Sequence, residues 1–176
     1  MLRSARLLAA LLAAPILLSG CSLLQKKEPP PCPPIFILAD AATVTKFRPG
    51  GGQDLTDVEA EAEVLGYKGH CVYDEAGAEL NLQISIAAKR GPANTSRKVQ
   101  FSYFVAIPYF YPKPQAKAIF PISVEFPEGQ NLAHFTDEEI SMRIPVKDRE
   151  LIDKFVVYIG FQTSPEELEQ NRRMKR

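Results

Sequence analysis

Seven residues in the first half of the chain, Val58-Glu59-Ala60-Glu61-Ala62-Glu63-Val64, alternate strictly between apolar and acidic. Successive side chains of a strand point to opposite faces, so a strand here sets Val58, Ala60, Ala62 and Val64 against three glutamates. A helix would place Glu59 and Glu63 one turn apart, where like charges repel. Ala and Glu are good helix formers, so propensity pulls the other way. The period nonetheless predicts a half-buried strand.

Alternating or short apolar runs bounded by Gly, Pro and Asp predict further strands at 35–45, 70–73, 80–88, 99–107, 118–126, 140–146 and 155–161. Asp74-Glu75-Ala76-Gly77 has the composition of a hairpin turn. Fifteen prolines and no tryptophan fit strands and turns better than a helical bundle. The expected fold is mainly β: a two-layer antiparallel sandwich of the immunoglobulin-like or fibronectin-like kind, with an up-and-down barrel as the alternative and the topology open. No repeat is visible, which excludes propellers and solenoids.

One helix is signalled, at the end. Ser164 is placed to cap it, Pro165 suits its first turn, and Glu167 completes a capping box ahead of Leu168. Arg172, Arg173, Lys175 and Arg176 then fall where the helix dipole favours cations. This basic end is either a contact for anionic headgroups and cell-wall polymers or a solvated helix end.

The first twenty residues read as an export signal: Arg3 and Arg6, an apolar run over 7–18, then Ser19 and Gly20. As a helix that run reaches only about 18 Å, short of a ~30 Å hydrocarbon core, and Pro15 interrupts it, so a permanent span is not expected. Leu18-Ser19-Gly20-Cys21 resembles the lipobox read by bacterial lipoprotein-processing enzymes. The resemblance implies cleavage before Cys21, a diacylglyceryl group on its thiol and a further acyl chain, such as palmitate, on its amino group. Each buried methylene contributes about 0.8 kcal/mol, so several chains on one residue make a durable anchor. Ser22 stands where the family's sorting rule looks for Asp as an inner-membrane signal, which implies the outer membrane; the periplasmic side is the expected one, although the residues leave the face open.

With Cys21 lipidated, Cys32 and Cys71 are the remaining thiols in an oxidising space and are expected to pair. Between lipid and domain, residues 21–34 end in Pro29-Pro30-Pro31-Cys32-Pro33-Pro34, a stiff spacer or, alternatively, a docking ligand. The chain thus divides into a signal peptide (1–20), a lipidated Pro-rich tether (21–34), the sandwich (35–163) and a C-terminal helix with basic tail (164–176). Losing Arg3 and Arg6 leaves 19 basic against 21 acidic side chains, so no global charge calls for nucleic acid.

Catalytic signatures are scarce. The only histidines are His70 and His134, and neither a G-x-S-x-G elbow, an H-E-x-x-H motif nor a phosphate loop occurs. Gly50-Gly51-Gly52 reads as a turn or connection. A Cys71 nucleophile with His134 as base would need Cys71 free. His70, Cys71 and Asp74, and separately Asp54, Asp57 and Glu59, are partial ligand sets for zinc and calcium, so no metal or cofactor is expected. Recognition is best placed at Ile107-Pro108-Tyr109-Phe110-Tyr111-Pro112-Lys113-Pro114, where Tyr109, Phe110 and Tyr111 either meet a partner or cap the open end of the core.

These readings lead to a lipid-anchored, non-catalytic envelope component with a membrane contact and an envelope protein partner. A glycan- or small-ligand-binding module is the alternative, and a hydrolase the third. The mature part resembles uncharacterised bacterial envelope lipoproteins, a likeness that transfers no site. Partner identity and oligomeric state stay open.

Overall fold

The computed structural model describes residues 31–146 and 148–174; the lipobox, Cys21, Lys175 and Arg176 lie outside the described residues. Those residues form nine strands and one α-helix: β1 (Ile35–Ile37), β2 (Thr43–Phe47), β3 (Val58–Asp74), β4 (Gly77–Arg90), β5 (Lys98–Ala106), β6 (Lys117–Glu125), β7 (Leu132–Thr136), β8 (Ile140–Ile144), β9 (Val157–Phe161) and α1 (Pro165–Met174). Sheet A has the order β1-β9-β5-β6. Sheet B has β2-β3-β4, with β7 and β8 sharing the free side of β4. β1 and β9 run parallel, and the other pairs are antiparallel. Inward side chains of the two sheets merge into one apolar cluster, from Val44, Ala60, Leu80 and Ile86 to Phe101, Val105, Ile122 and Ile159. The protein is a mainly β sandwich with a short C-terminal helix.

The β3–β4 hairpin is the spine of sheet B. The strands predicted at 58–64 and 70–73 are one strand, because the ladder absorbs an extra residue where the register shifts between Val64 and Gly66. Before this bulge the even positions Val58, Ala60, Ala62 and Val64 are buried; after it the odd position Cys71 is. One inserted residue reverses the parity of a strand, so the alternation breaks although the strand continues. The hairpin turns where expected. Asp74 accepts from the Ala76 amide (2.8 Å), and Gly77 takes φ +137° with its α-carbon against Ile144, leaving no room for a Cβ.

The predicted strand at 35–45 breaks at a 3-10 turn, Ala39–Ala41, where the chain passes from sheet A to sheet B. Gly160 lets that turn lie against sheet A, since a Cβ there would come within 2.8 Å of Ala41 Cβ. The helix starts as read. Ser164 N–H donates to Glu167 (2.8 Å), and Glu167 N–H donates to Ser164 Oγ (3.2 Å). Its buried Asn171 donates to the carbonyls of Asp40 and Thr43, fastening α1 along β2.

Two of the ties between elements bear most directly on stability. The first is the Cys32–Cys71 disulfide, with α-carbons 5.5 Å apart and 39 residues of separation. Closing such a loop constrains the unfolded chain by about 4 kcal/mol on the chain-entropy account. Urea unfolding with and without reductant should therefore show a loss of stability approaching that figure, and the paired Cys32→Ala, Cys71→Ala variant should match the reduced protein.

The second tie is Tyr103, fully buried on sheet A, whose hydroxyl donates to Asp137 at the end of β7 (2.5 Å) while its ring stacks on Phe120. Burial, the hydrogen bond and the Asp137 charge hold the phenol proton far above the ordinary tyrosine range. The folded state binds this proton more tightly than the unfolded chain, so the stabilisation is complete below about pH 10 and drains as pH rises beyond it. Tyr103→Phe should cost roughly 2 kcal/mol near neutrality, the worth of a hydrogen bond to a charged group. In urea titrations repeated at alkaline pH, the variant's stability should fall less steeply than that of the wild type.

Candidate functional site

The Pro-rich aromatic segment connects β5 to β6 and is braced by its own backbone. Amide-to-carbonyl bonds run from Phe110 to Ile107, Tyr111 to Pro108, Lys113 to Phe110 and Ala116 to Lys113, and the loop closes with Ile107 to Ala116. Prolines supply two 3-10 turns, Pro108–Phe110 and Pro114–Ala116. Within this frame the three aromatics part company. Phe110 is buried and meets Phe155 with ring centroids 5.5 Å apart, so it caps the core. Tyr109 lies on Phe155 at 4.5 Å yet stays 61% exposed, and Tyr111 is 82% exposed.

The tether reaches the same end of the molecule. Val157 N–H, at the start of β9, donates to the Pro34 carbonyl (2.8 Å). Tyr73 donates its hydroxyl to the Pro31 carbonyl (2.9 Å), and Cys32 is bonded to Cys71. Because β5 is antiparallel to β9, with Ala106 opposite Tyr158, the aromatic loop leaves sheet A where the tether arrives. The tip of the β3–β4 hairpin and the 3-10 turn Arg149–Lys154 complete this end.

A second surface escaped sequence reasoning. The outward face of sheet A carries Phe36, paired with Tyr158, and Phe104, paired with Ile119. Phe36 and Ile119 are each 53% exposed, and Leu38 beside them is also exposed. Phe36 and Tyr158 rings lie 6.2 Å apart. Lys117 spans the face with its ammonium 4.3 Å from the Phe104 ring centre and donates to Gln162 Oε1 (2.7 Å). Toward α1 the face deepens into a groove of about 550 Å³ between Leu38, Phe104, Leu168 and Arg172. A signal was present: Ile35-Phe36-Ile37-Leu38 and Phe155-Val156-Val157-Tyr158-Ile159 are apolar at both parities, the mark of a strand covered on both faces.

The other sequence candidates stay apart. Cys71 is held in the disulfide and lies opposite Leu80, whereas His134 lies opposite Ala87, seven residues or ~23 Å along β4. The nucleophile and base considered for hydrolysis therefore do not meet. His70 faces Asn81 (3.5 Å) and Glu139 (3.9 Å). Asp74 pairs with Arg143 (2.5 Å), whose hydrogen bond holds the carboxyl below its usual range, and Asp57 is buried against Arg48. Among the described residues, no three His, Cys, Asp or Glu side chains converge as a metal-binding set. No family model, curated protein or solved structure matches the chain.

The division among the aromatics is testable by stability alone. Phe110→Ala should cost about 3–5 kcal/mol, as for a buried ring that leaves a cavity. Tyr111→Ser should stay within about 0.5 kcal/mol, as for an exposed side chain. Both are read from urea midpoints.

Proposed function

We propose that this chain is a lipid-anchored lipoprotein of the bacterial cell envelope, held at the outer membrane through Cys21. It acts there as a non-catalytic interaction component that presents the outward face of sheet A to an envelope protein. The observation that carries the interaction is that face itself. Phe36, Leu38, Tyr158, Phe104 and Ile119 share the outward face of one sheet, and exposed apolar side chains gathered on one face are the kind of surface that marks association. It is pleated and open, which suits another polypeptide surface better than a small ligand that needs enclosure.

The address is supported separately. The lipobox-like Leu18-Ser19-Gly20-Cys21 supplies the attachment residue, and Ser22 lacks the inner-membrane signal. The Cys32–Cys71 bridge agrees with an oxidising compartment.

Protein solubilised from membranes should carry the mass of an acylated Cys21 amino terminus, and Cys21→Ala should not. In-cell crosslinking should yield a discrete adduct that Ile119→Glu and Phe36→Glu each weaken by tenfold or more, equivalent to about 1.4 kcal/mol or greater. An adduct indifferent to both substitutions would remove sheet A from the proposal.

A further inference from the structure

We infer that the tether end of the sandwich rests on the lipid surface itself, with Tyr109 and Tyr111 seated among the headgroups. This rests on the lipid anchor proposed above and deepens it by giving the anchored domain an orientation.

The first ground is where the chain outside the described residues joins the domain. Pro31 lies ten residues along the chain from Cys21, so the fold is held within roughly 35 Å of the bilayer, the reach of ten fully extended steps. Its point of attachment is fixed on the domain. The Pro31 carbonyl is bonded by Tyr73, Cys32 is covalently joined to Cys71, and Pro34 is bonded by Val157. The lipid therefore pulls on one defined end.

The second ground is what that end exposes. Tyr111 (82%) and Tyr109 (61%) project from a loop held by five backbone bonds, and Val72 and Leu151 are exposed nearby. A tyrosine ring is apolar with a polar tip, which is why such rings settle at headgroup depth. Exposed Lys113 and Lys154 lie on the same end and suit lipid phosphates. Glu75 and Asp153 are exposed there as well, so the contact is aromatic first and electrostatic second. No comparable ring is exposed at the opposite end among the described residues, where Leu55 precedes β3.

The orientation leaves the outward face of sheet A standing roughly upright on the membrane, turned sideways and open to a partner. Seating on the lipid and docking on the sheet thus use different surfaces of the same domain.

The chain contains no tryptophan, so a single substitution makes its own reporter. Acylated full-length protein carrying Tyr111→Trp is placed in vesicles of phosphatidylethanolamine and phosphatidylglycerol, with and without brominated acyl chains. Leu55→Trp is the control, because Leu55 is exposed just before β3, the 17-residue strand that runs away from it toward the hairpin tip at the tether end. The expected result is a blue-shifted emission at position 111 that loses most of its intensity to the brominated lipid, with water-like, unquenched emission at position 55. Circular dichroism on the same samples confirms the fold, and both sites are exposed enough to accept the ring. Acylated protein with water-like, unquenched emission at both positions overturns the seating and leaves the anchor standing. A mass spectrum without acyl chains overturns the anchor and the seating together.

Discussion

Backbone pairing between β3 and β4 is the interaction on which the other elements lean. Fourteen residue pairs run from Ala60 opposite Arg90 to Asp74 opposite Gly77. The ladder stays continuous because the extra residue at position 65 is set outside it. Every other strand of sheet B docks on this hairpin: β2 on the open side of β3, β7 and β8 in succession along β4. The parity switch at the bulge also turns Cys71 inward, where it meets Cys32. Had parity continued from Val64, Cys71 would face outward and the tether would have no covalent hold. A local irregularity in one strand therefore decides where a distant segment attaches.

That attachment changes what the N-terminal segment can do mechanically. A tether joined only through β1, three residues long and at the edge of its sheet, could be peeled from the domain one hydrogen bond at a time. The disulfide instead joins residue 32 covalently to the β3–β4 ladder, three residue pairs from its turn. Bonds from Val157 and Tyr73 to the adjoining carbonyls keep the intervening prolines in place, so they have partners although they cannot donate. A domain held this way keeps one fixed end toward its point of attachment.

How far the sequence speaks depends on whether a feature is local. The alternation at 58–64, the turn at 74–77 and the capping box at Ser164 are each specified by residues within a few positions, and each takes the expected form. Pairing of Cys32 with Cys71 was legible from cysteine counting and compartment, and the structure joins them. The bulge hid the union of two predicted strands, because an inserted residue erases the period without ending the pairing. β7 was missed because Leu132-Ala133-His134-Phe135-Thr136 buries only the small Ala133 and offers little hydrophobic contrast. Phe110 and Tyr111 are neighbours of similar chemistry with opposite fates, decided by Phe155, which is distant in sequence and lies just before β9. The outward face of sheet A depends on strand order, which no local pattern encodes.

The treatment of the sheet edges gives that face its meaning. Open strands invite pairing with other chains, and this fold blunts them. Along β2 the edge is covered by α1, with Asn171 taking the Thr43 carbonyl and Glu167 paired to Lys46. On the far side of sheet A, β6 carries Pro121 at its middle, a residue that cannot donate to a new ladder, and Lys117 at its start. β1, at the other edge, is too short to template an added strand. With pairing through the backbone discouraged, an apolar surface made of side chains is what remains available on sheet A. Leaving Phe36 and Ile119 half exposed forgoes hydrophobic stabilisation that polar residues there would not need and deeper burial would supply. A fold that shields its edges and leaves such a face bare favours association by side-chain complementarity over strand addition.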